Sequence, residues 1–369
     1  MRAEIIAISI SLFVAMLAAP RTGNTATFCV STGTQLANAL NSAQSNGQSD
    51  EIRITTGILT GTTAPATNPR WSYRSGESDE ATALNISGGW SAGNNCISQS
   101  VGVLQSQLDA EWLGPVLNFS HSTASFSGQI SIRNLTLARG RTFTSFSATG
   151  IQWFATGTVA SQLLIENTIV TSGLSNAQGA MSVYIYQQGS GTVRFRNNIV
   201  SNNNIASGVS IGTANNAIAY VSNNSIFGNE ATTSAGYGLG LGGVIVASNN
   251  AVADNTTTAT GVTAQVYATT GSGITLRNNH FEDSIITGGA FSELGTTTGD
   301  PMWTAAGMLQ IPNDVSPLRD SGVNNPSGGV ASTDIDGNPR IIGPLIDRGA
   351  VEAEALPVLV PEIFENGFE

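Results

Sequence analysis

Six gapless copies of one eleven-residue pattern, a strict inside–outside alternation within each copy, and a composition rich in Gly and Asn but poor in charge predict an all-β chain. The fold class they specify is a right-handed parallel β-helix, a solenoid with one short N-terminal capping helix. The copies are ISIRNLTLARG from Ile130, LLIENTIVTSG from Leu163, VRFRNNIVSNN from Val193, AYVSNNSIFGN from Ala219, IVASNNAVADN from Ile245 and ITLRNNHFEDS from Ile274. Their first and third positions are apolar throughout and their fourth is polar, so each opens as a strand with one buried face. The eighth position is apolar again (Leu137, Val170, Val200, Ile226, Val252, Phe281) and belongs to a second strand after a bend. The eleventh carries turn residues, from Gly140 and Gly173 to Asn255.

The fifth position is always Asn: Asn134, Asn167, Asn197, Asn223, Asn249 and Asn278. Asn tolerates the left-handed backbone region, and stacked amides can bond along a column. This column is expected to be a structural ladder at the bend. A third strand set lies between the copies, at Ile151–Trp153, Val183–Tyr186, Val209–Ile211 and about Val262 to Val266. Earlier rungs are expected at Ile52–Ile54, Leu84–Ile86, Leu104–Leu108 and Val116–Phe119. An open solenoid end is a template for strand addition. The segment from Thr34, with apolar Leu36, Leu40 and Ala43 and a stop at Gly47, predicts a helix that covers the first rung, capped by Thr34.

The expected organisation is an export signal over 1–26, cleaved between 18 and 26, an N-terminal cap over 27–50 and the β-helix over 51–290. C-terminal rungs with a motif-bearing region follow over 291–352, then a tail over 353–369. The signal rests on the apolar run Ile5–Ala19, which is shorter than the roughly 20 residues of a membrane helix. Export to an oxidising space makes Cys29 and Cys96, the only cysteines, a disulfide pair. Only 11% of residues are charged, the net charge is -11, and all 14 basic residues are Arg. That balance excludes nucleic acid as a partner, because phosphate contacts need clustered cations, and the absence of Lys excludes Schiff-base chemistry.

The C-terminal half carries DP at Asp300, SPLRDSG from Ser316, DIDGNPR from Asp334 and DRGAVE from Asp347. The front half carries SGGW from Ser87 and RNLT from Arg133. With these motifs the chain resembles the bacterial right-handed parallel β-helix repeat proteins with a choice-of-anchor Q type C-terminal region, of pectate-lyase-like fold. The resemblance covers nearly the whole mature chain. It implies the β-helix and an extracytoplasmic location in a gram-negative bacterium, at the cell surface or secreted. It implies no reaction. The ending IFENGFE is similar to tails of many exported proteins of such bacteria.

Candidate functional residues are few. Arg133, Glu166 and Arg196 fall in the fourth-position column of successive rungs and predict a surface ion ladder. Tyr184, Tyr186 and Tyr220 point outward, and a ring on a rigid sheet can stack on a sugar face. Together with Arg194, Arg196 and Glu166 they form the candidate carbohydrate-binding set. No catalytic residue is assigned, since glycoside hydrolysis takes a carboxyl pair and the central rungs carry few acids. His280, Glu282 and Asp283 read as a solvated bend, and His121 has no evident partner. Asp334, Asp336 and Asn338 have the alternating spacing of a calcium loop. Pro339 and Leu345 stand where that loop needs Gly and a bidentate Glu. The segment reads instead as a structural turn in which Arg340 pairs with an Asp. No metal and no other cofactor is expected. The expected partner is extracellular polysaccharide, with no transmembrane segment and a monomeric chain. Two functional classes stay open: an exported non-catalytic scaffold that contacts glycan, or an extracellular polysaccharide lyase or glycoside hydrolase with a non-standard site.

Overall fold

The computed structural model describes residues 25–354, apart from 62–68, 76–82, 93–94, 101, 103–104, 122–126, 159, 232–235, 258–263, 270–272, 284–285, 288–290 and 307. Residues 1–24 of the expected export signal and 355–369 of the expected tail lie outside the described residues, as do Leu104, Val262 and Ser284. Among the described residues no helix is long and apolar enough to cross a membrane.

The chain winds as a parallel β-helix with three strand-bearing faces. The sequence alignment is the strand register. Ile130 pairs with Leu163, Leu163 with Val193, Val193 with Ala219, Ala219 with Ile245 and Ile245 with Ile274 on the first face. The eighth-position column pairs in the same order from Leu137 to Phe281 on the second face. The third face is an eight-stranded parallel sheet that includes Ala148–Ala155, Met181–Gln187, Ser207–Thr213, Tyr237–Gly242 and Ala264–Ala268. Tyr237–Gly242 is a rung that the sequence reading passed over, because YGLGLG reads as loop by composition. Its Leu239 and Leu241 are buried and continue the columns of Val209 and Ile211.

The inward columns form one continuous apolar core. Near its N-terminal end the stack is aromatic: Phe119 and Trp153 lie 6.4 Å apart, and Trp153 lies 4.4 Å from His121. His121 is thus a core residue whose Nδ1 meets Ser75 Oγ at 2.6 Å. The helix Gly33–Ala43 buries Leu36, Leu40 and Ala43 on this end, and Trp71 Nε1 donates to Gly33 O at 3.0 Å. Its cap is Thr32 rather than Thr34. Thr32 Oγ1 accepts from Gln35 N, while the Gln35 side chain turns back to accept from Ser31 N, a near-reciprocal capping box. An unforeseen strand, Thr25–Val30, precedes the helix and pairs with Ser49–Thr55. It carries Cys29, whose disulfide to Cys96 joins positions with Cα atoms 5.7 Å apart. Closing that 67-residue separation restricts the unfolded chain by roughly 4 kcal/mol in the chain-entropy model.

All six fifth-position Asn residues adopt left-handed backbone, with φ between 51° and 57°. Their amides do not form the expected continuous ladder. Asn167 donates to Asn134, and Asn197 to Asn167. Asn223 and Asn249 instead bond outward to Asp347 O and to Val323. The continuous ladders stand at the sixth and eleventh positions. In the first, the Nδ2 groups of Asn198, Asn224 and Asn250 each donate to the next Oδ1, ending at Asn279, over 2.9–3.0 Å. In the second, Asn203, Asn229 and Asn255 do the same and end on Gln265 Oε1, over 2.7–2.8 Å. The reason is geometric. A left-handed residue turns its side chain away from the core at the corner, and the next residue carries its amide inward, where backbone groups would otherwise be orphaned.

The strand Phe291–Leu294 and the pair Thr297–Thr298 are the last parallel elements described. After the antiparallel pair Trp303–Ala306 and Leu309–Pro312, the chain turns back and lies along the outside of the solenoid. Leu309, Ile335, Ala350 and Val351 cover outward Ile169, Ile199 and Phe227 of the second face. The reciprocal Asn249–Val323 bonds, Asn197 Nδ2 to Thr333 O at 3.0 Å, and Arg348 Nη1 to Asn279 O at 3.0 Å anchor this strap.

Two outcomes are expected. Asn224→Ala strands buried partners at Asn198, Asn250 and Phe195 O and lowers stability by roughly 3 kcal/mol. Asn223→Ala loses one 3.4 Å bond and costs roughly 1–2 kcal/mol, mostly as left-handed strain. Urea unfolding ranks the two, and an equal or reversed order contradicts the ladder assignment. The second outcome concerns acid. Burial pushes the His121 pKa down to about 3, whereas an unfolded chain takes up that proton below about 6.5. Between those values the unfolded state binds more protons at this site, so the stabilisation that depends on His121 falls as pH falls, by roughly 2 kcal/mol from about pH 7 to about pH 5. The Glu352 carboxyl, pushed up to about 7, acts in the opposite direction, so the check is the difference between wild type and His121→Phe in urea titrations. The variant is expected to gain roughly 2 kcal/mol on wild type between those pH values, and a constant difference contradicts the account.

Candidate functional site

The predicted carbohydrate-binding residues do not form one site. Arg194, Arg196, Glu166 and Tyr220 stand on the first face, and Tyr184 and Tyr186 stand on the third. The first-face group is already engaged. Glu166 is ion-paired to Arg196 and lies 3.7 Å from Arg133 Nε. The pairing matches expectation, but Glu166 is buried rather than part of a surface ladder. The strap lies over it: Arg196 Nη1 donates to Gly328 O at 3.0 Å. Gly328 also packs against the Tyr220 side chain so closely that a Cβ there would sit 2.4 Å from Tyr220 Cβ. Arg194 stands over the Tyr220 ring at 5.9 Å.

The calcium-like segment is a turn within the strap. Asp334 is buried, and its Oδ1 accepts from the backbone N–H groups of Asp336 and Asn338 at 3.0 and 2.8 Å. Its Oδ2 accepts from Glu352 N at 3.0 Å. Asp336 and Asn338 are exposed. Among the described residues no group of three or more His, Cys, Asp or Glu is placed to hold a metal ion. Arg340 pairs with Glu352, not with an Asp, at 2.8 Å, and both are buried. Burial pushes the Glu352 carboxyl up to about 7, opposed by Arg340, and lowers the Arg340 pKa. His280 is buried rather than solvated, with Nδ1 on Thr297 Oγ1 and Nε2 on Gly299 O, both at 2.9 Å.

The third face carries the open site. Tyr184 and Tyr186 alternate with buried Val183 and Ile185 and so point outward. In the following rungs their columns continue as Ser210 and Gly212, then as Gly240 and Gly242. One rung further, Tyr267 pairs with Gly240. The result is a trough of about 200 Å³ whose floor is Ser and Gly and whose ends are tyrosines. At one end Tyr186 stacks on Phe154, with centroids 5.6 Å apart. At the other, Tyr237 stacks on Tyr267 at 5.7 Å, with planes 16° apart. Glycine in the floor makes room for the rings. A Cβ on Gly240 would lie 2.3 Å from the Tyr237 ring, and one on Gly212 would lie 3.1 Å from the Tyr186 ring.

From Tyr184 to Tyr267 the trough crosses three rung spacings, about 14 Å at the usual strand separation. Gln188 Nε2 donates to the Tyr186 hydroxyl at 2.9 Å, which leaves the phenol proton free to donate outward. Burial, reinforced by Tyr186 and Tyr237, raises the Tyr184 pKa, so its phenol stays neutral and donating. Tyr237, Tyr267 and Phe154 were missed from sequence. The signal was there as outward positions paired across neighbouring strands, but it is visible only once YGLGLG is recognised as a rung.

Residues 125–298 match the family model described as the right handed beta helix region. With the rung register, this defines a right-handed parallel β-helix protein. Among solved structures, the pectate lyase Pel9A is similar over 90% of this chain and 98% of that one, at 11% identity and a TM-score of 0.35. The periplasmic alginate epimerase AlgG is similar over 74% of this chain and 85% of that one, at 12% identity and a TM-score of 0.26. No curated protein matches in sequence. Likeness at these levels does not bear on what the chain binds.

Proposed function

We propose that the protein is an exported, non-catalytic β-helix scaffold, secreted or surface-associated, that holds glycan in the third-face trough. The observation that carries the reading is the pairing of half-buried, outward-facing tyrosine rings with a glycine floor on the sheet. Rings present flat apolar faces and hydroxyls at fixed spacing, which suits the alternating CH and OH faces of a sugar chain. The trough lining supplies hydroxyls and ring faces and contains no carboxylate, imidazole or guanidinium. Its only titratable groups among the described residues are phenols, so no carboxyl pair of the kind that glycoside hydrolysis takes stands in it. Glu166, the carboxylate nearest the predicted binding residues of the first face, is held by Arg133 and Arg196, and Arg196 is tied to the strap at Gly328. The apolar run at the N-terminus and the choice-of-anchor Q type motifs from Ser316 to Glu352 support the extracytoplasmic placement.

The test is a binding and depolymerisation screen of the mature protein against a polysaccharide panel. A glycan is expected to bind without release of shorter chains. Tyr184→Ala and Tyr267→Ala are each expected to weaken it by about tenfold, the equivalent of about 1.4 kcal/mol, with an unchanged circular dichroism spectrum. Release of oligosaccharides, or binding indifferent to both substitutions, contradicts the proposal.

A further inference from the structure

The third face differs from the rest of the molecule in one chemical respect. The chain has 39 charged side chains, 14 basic and 25 acidic. None falls in 142–165, 167–193, 197–229, 231–253 or 255–276. Those five segments contain every third-face strand from Ala148–Ala155 to Ala264–Ala268, together with the connections that flank them. The intervening charges sit elsewhere: Glu166, Arg194 and Arg196 on first-face strands, Glu230 on the short strand Glu230–Ala231 and Asp254 at a bend. Both histidines are also remote, His121 in the core and His280 on the second face. The solenoid therefore presents a charge-free strip five rungs long, with the tyrosine trough inside it.

We infer that the trough is selective for uncharged glycan and rejects polyuronates, an inference that rests on the trough being a glycan site. A uronate carries one carboxylate per ring. Burying it against the sheet without a cation or a surplus of donors costs free energy, and the strip offers neither. The net charge of -11 opposes its approach further. A neutral sugar asks for something different. Its hydroxyls both donate and accept, and so do the groups that line the trough: Ser210, Thr269 and the phenols of Tyr184, Tyr186, Tyr237 and Tyr267. Sugar rings can stack on the tyrosines at both ends while the glycine floor lets them approach the backbone.

Titration calorimetry of the mature protein with cellohexaose, mannohexaose, hexagalacturonate and hexamannuronate, at low and high salt, tests this. An uncharged hexasaccharide is expected to bind with the same affinity at both salt levels, because no ion pair is screened. Both uronates are expected to bind at least about tenfold more weakly, and Tyr184→Ala is expected to weaken binding of the neutral ligand by about tenfold. Ser210→Arg, which places one cation on the floor, is expected to narrow the gap in favour of the uronates. If a uronate binds as tightly as the neutral probes and Tyr184→Ala weakens it about tenfold, the selectivity is overturned while the trough remains a glycan site. If no hexasaccharide binds, or Tyr184→Ala changes nothing, the glycan reading fails and this inference fails with it.

Discussion

The structure depends on two stacks of buried asparagine amides. From Asn198 to Asn279 at the bends after the first face, and from Asn203 to Gln265 after the second, one side-chain amide donates to the amide of the next rung. At Asn198, Asn224, Asn250, Asn203, Asn229 and Asn255 it also donates to a backbone carbonyl of the preceding rung. The side-chain oxygen in turn accepts a backbone N–H, as Asn224 Oδ1 does from Asn198 N at 3.0 Å. Each bond contributes only about 1 kcal/mol net, but an orphaned buried partner costs roughly 1–3 kcal/mol. A slip of one residue would orphan several partners at once. The ladders therefore hold rung against rung in a single register, and the core columns and outward rows follow from it.

The register also allots the three faces. On the second, and over part of the first, the strap covers the outward residues. Ile169, Ile199 and Phe227 lie under the strap, and outward-turned Asn197, Asn223 and Asn249 hold it by hydrogen bonds. The Arg340–Glu352 pair inside the strap is buried, so loss of either partner leaves a charge uncompensated. Among the described residues the third face receives no such cover along Met181–Gln187, Ser207–Thr213 and Tyr237–Gly242. Its strands alternate large buried residues with Tyr, Ser and Gly, and a rigid, open, uncharged surface is what remains available for a partner.

Much of the fold was legible because a period-two pattern repeated six times leaves little freedom: the gapless alignment of the copies from Ile130 to Ile274 is the observed strand pairing. The left-handed conformation of the fifth-position Asn followed from steric preference alone. The ladder was placed one residue early, since two adjacent Asn, as in Asn197–Asn198, cannot be told apart without knowing which side chain points inward. The rung at Phe291–Leu294 and Thr297–Thr298 falls within the expected C-terminal rungs, but the course of the strap along the outside was not legible, because its contacts with the solenoid join residues some 70 to 136 positions apart, beyond any local pattern. One clue was present. Ile169–Val170 and Ile199–Val200 are apolar on both faces of a strand, which signals cover on both sides. The histidines were misjudged for a related reason: burial of His121 and His280 comes from rungs distant in sequence. The candidate trough was half legible: Tyr184 and Tyr186 face outward by alternation, whereas Tyr237 and Tyr267 line the trough only once the glycine-rich rung Tyr237–Gly242 is placed in the sheet.

The most direct test of the central claim, that the buried amide stacks hold the rungs in register, is native-state hydrogen exchange read by mass spectrometry on wild type and Asn224→Ala. The account predicts faster exchange not only in the strands Ile218–Ser222 and Ser225–Phe227 that flank the substitution but also in the third-face strands Met181–Gln187, Ser207–Thr213 and Tyr237–Gly242. Unchanged protection of those third-face strands, with the loss confined to residues beside position 224, would contradict it.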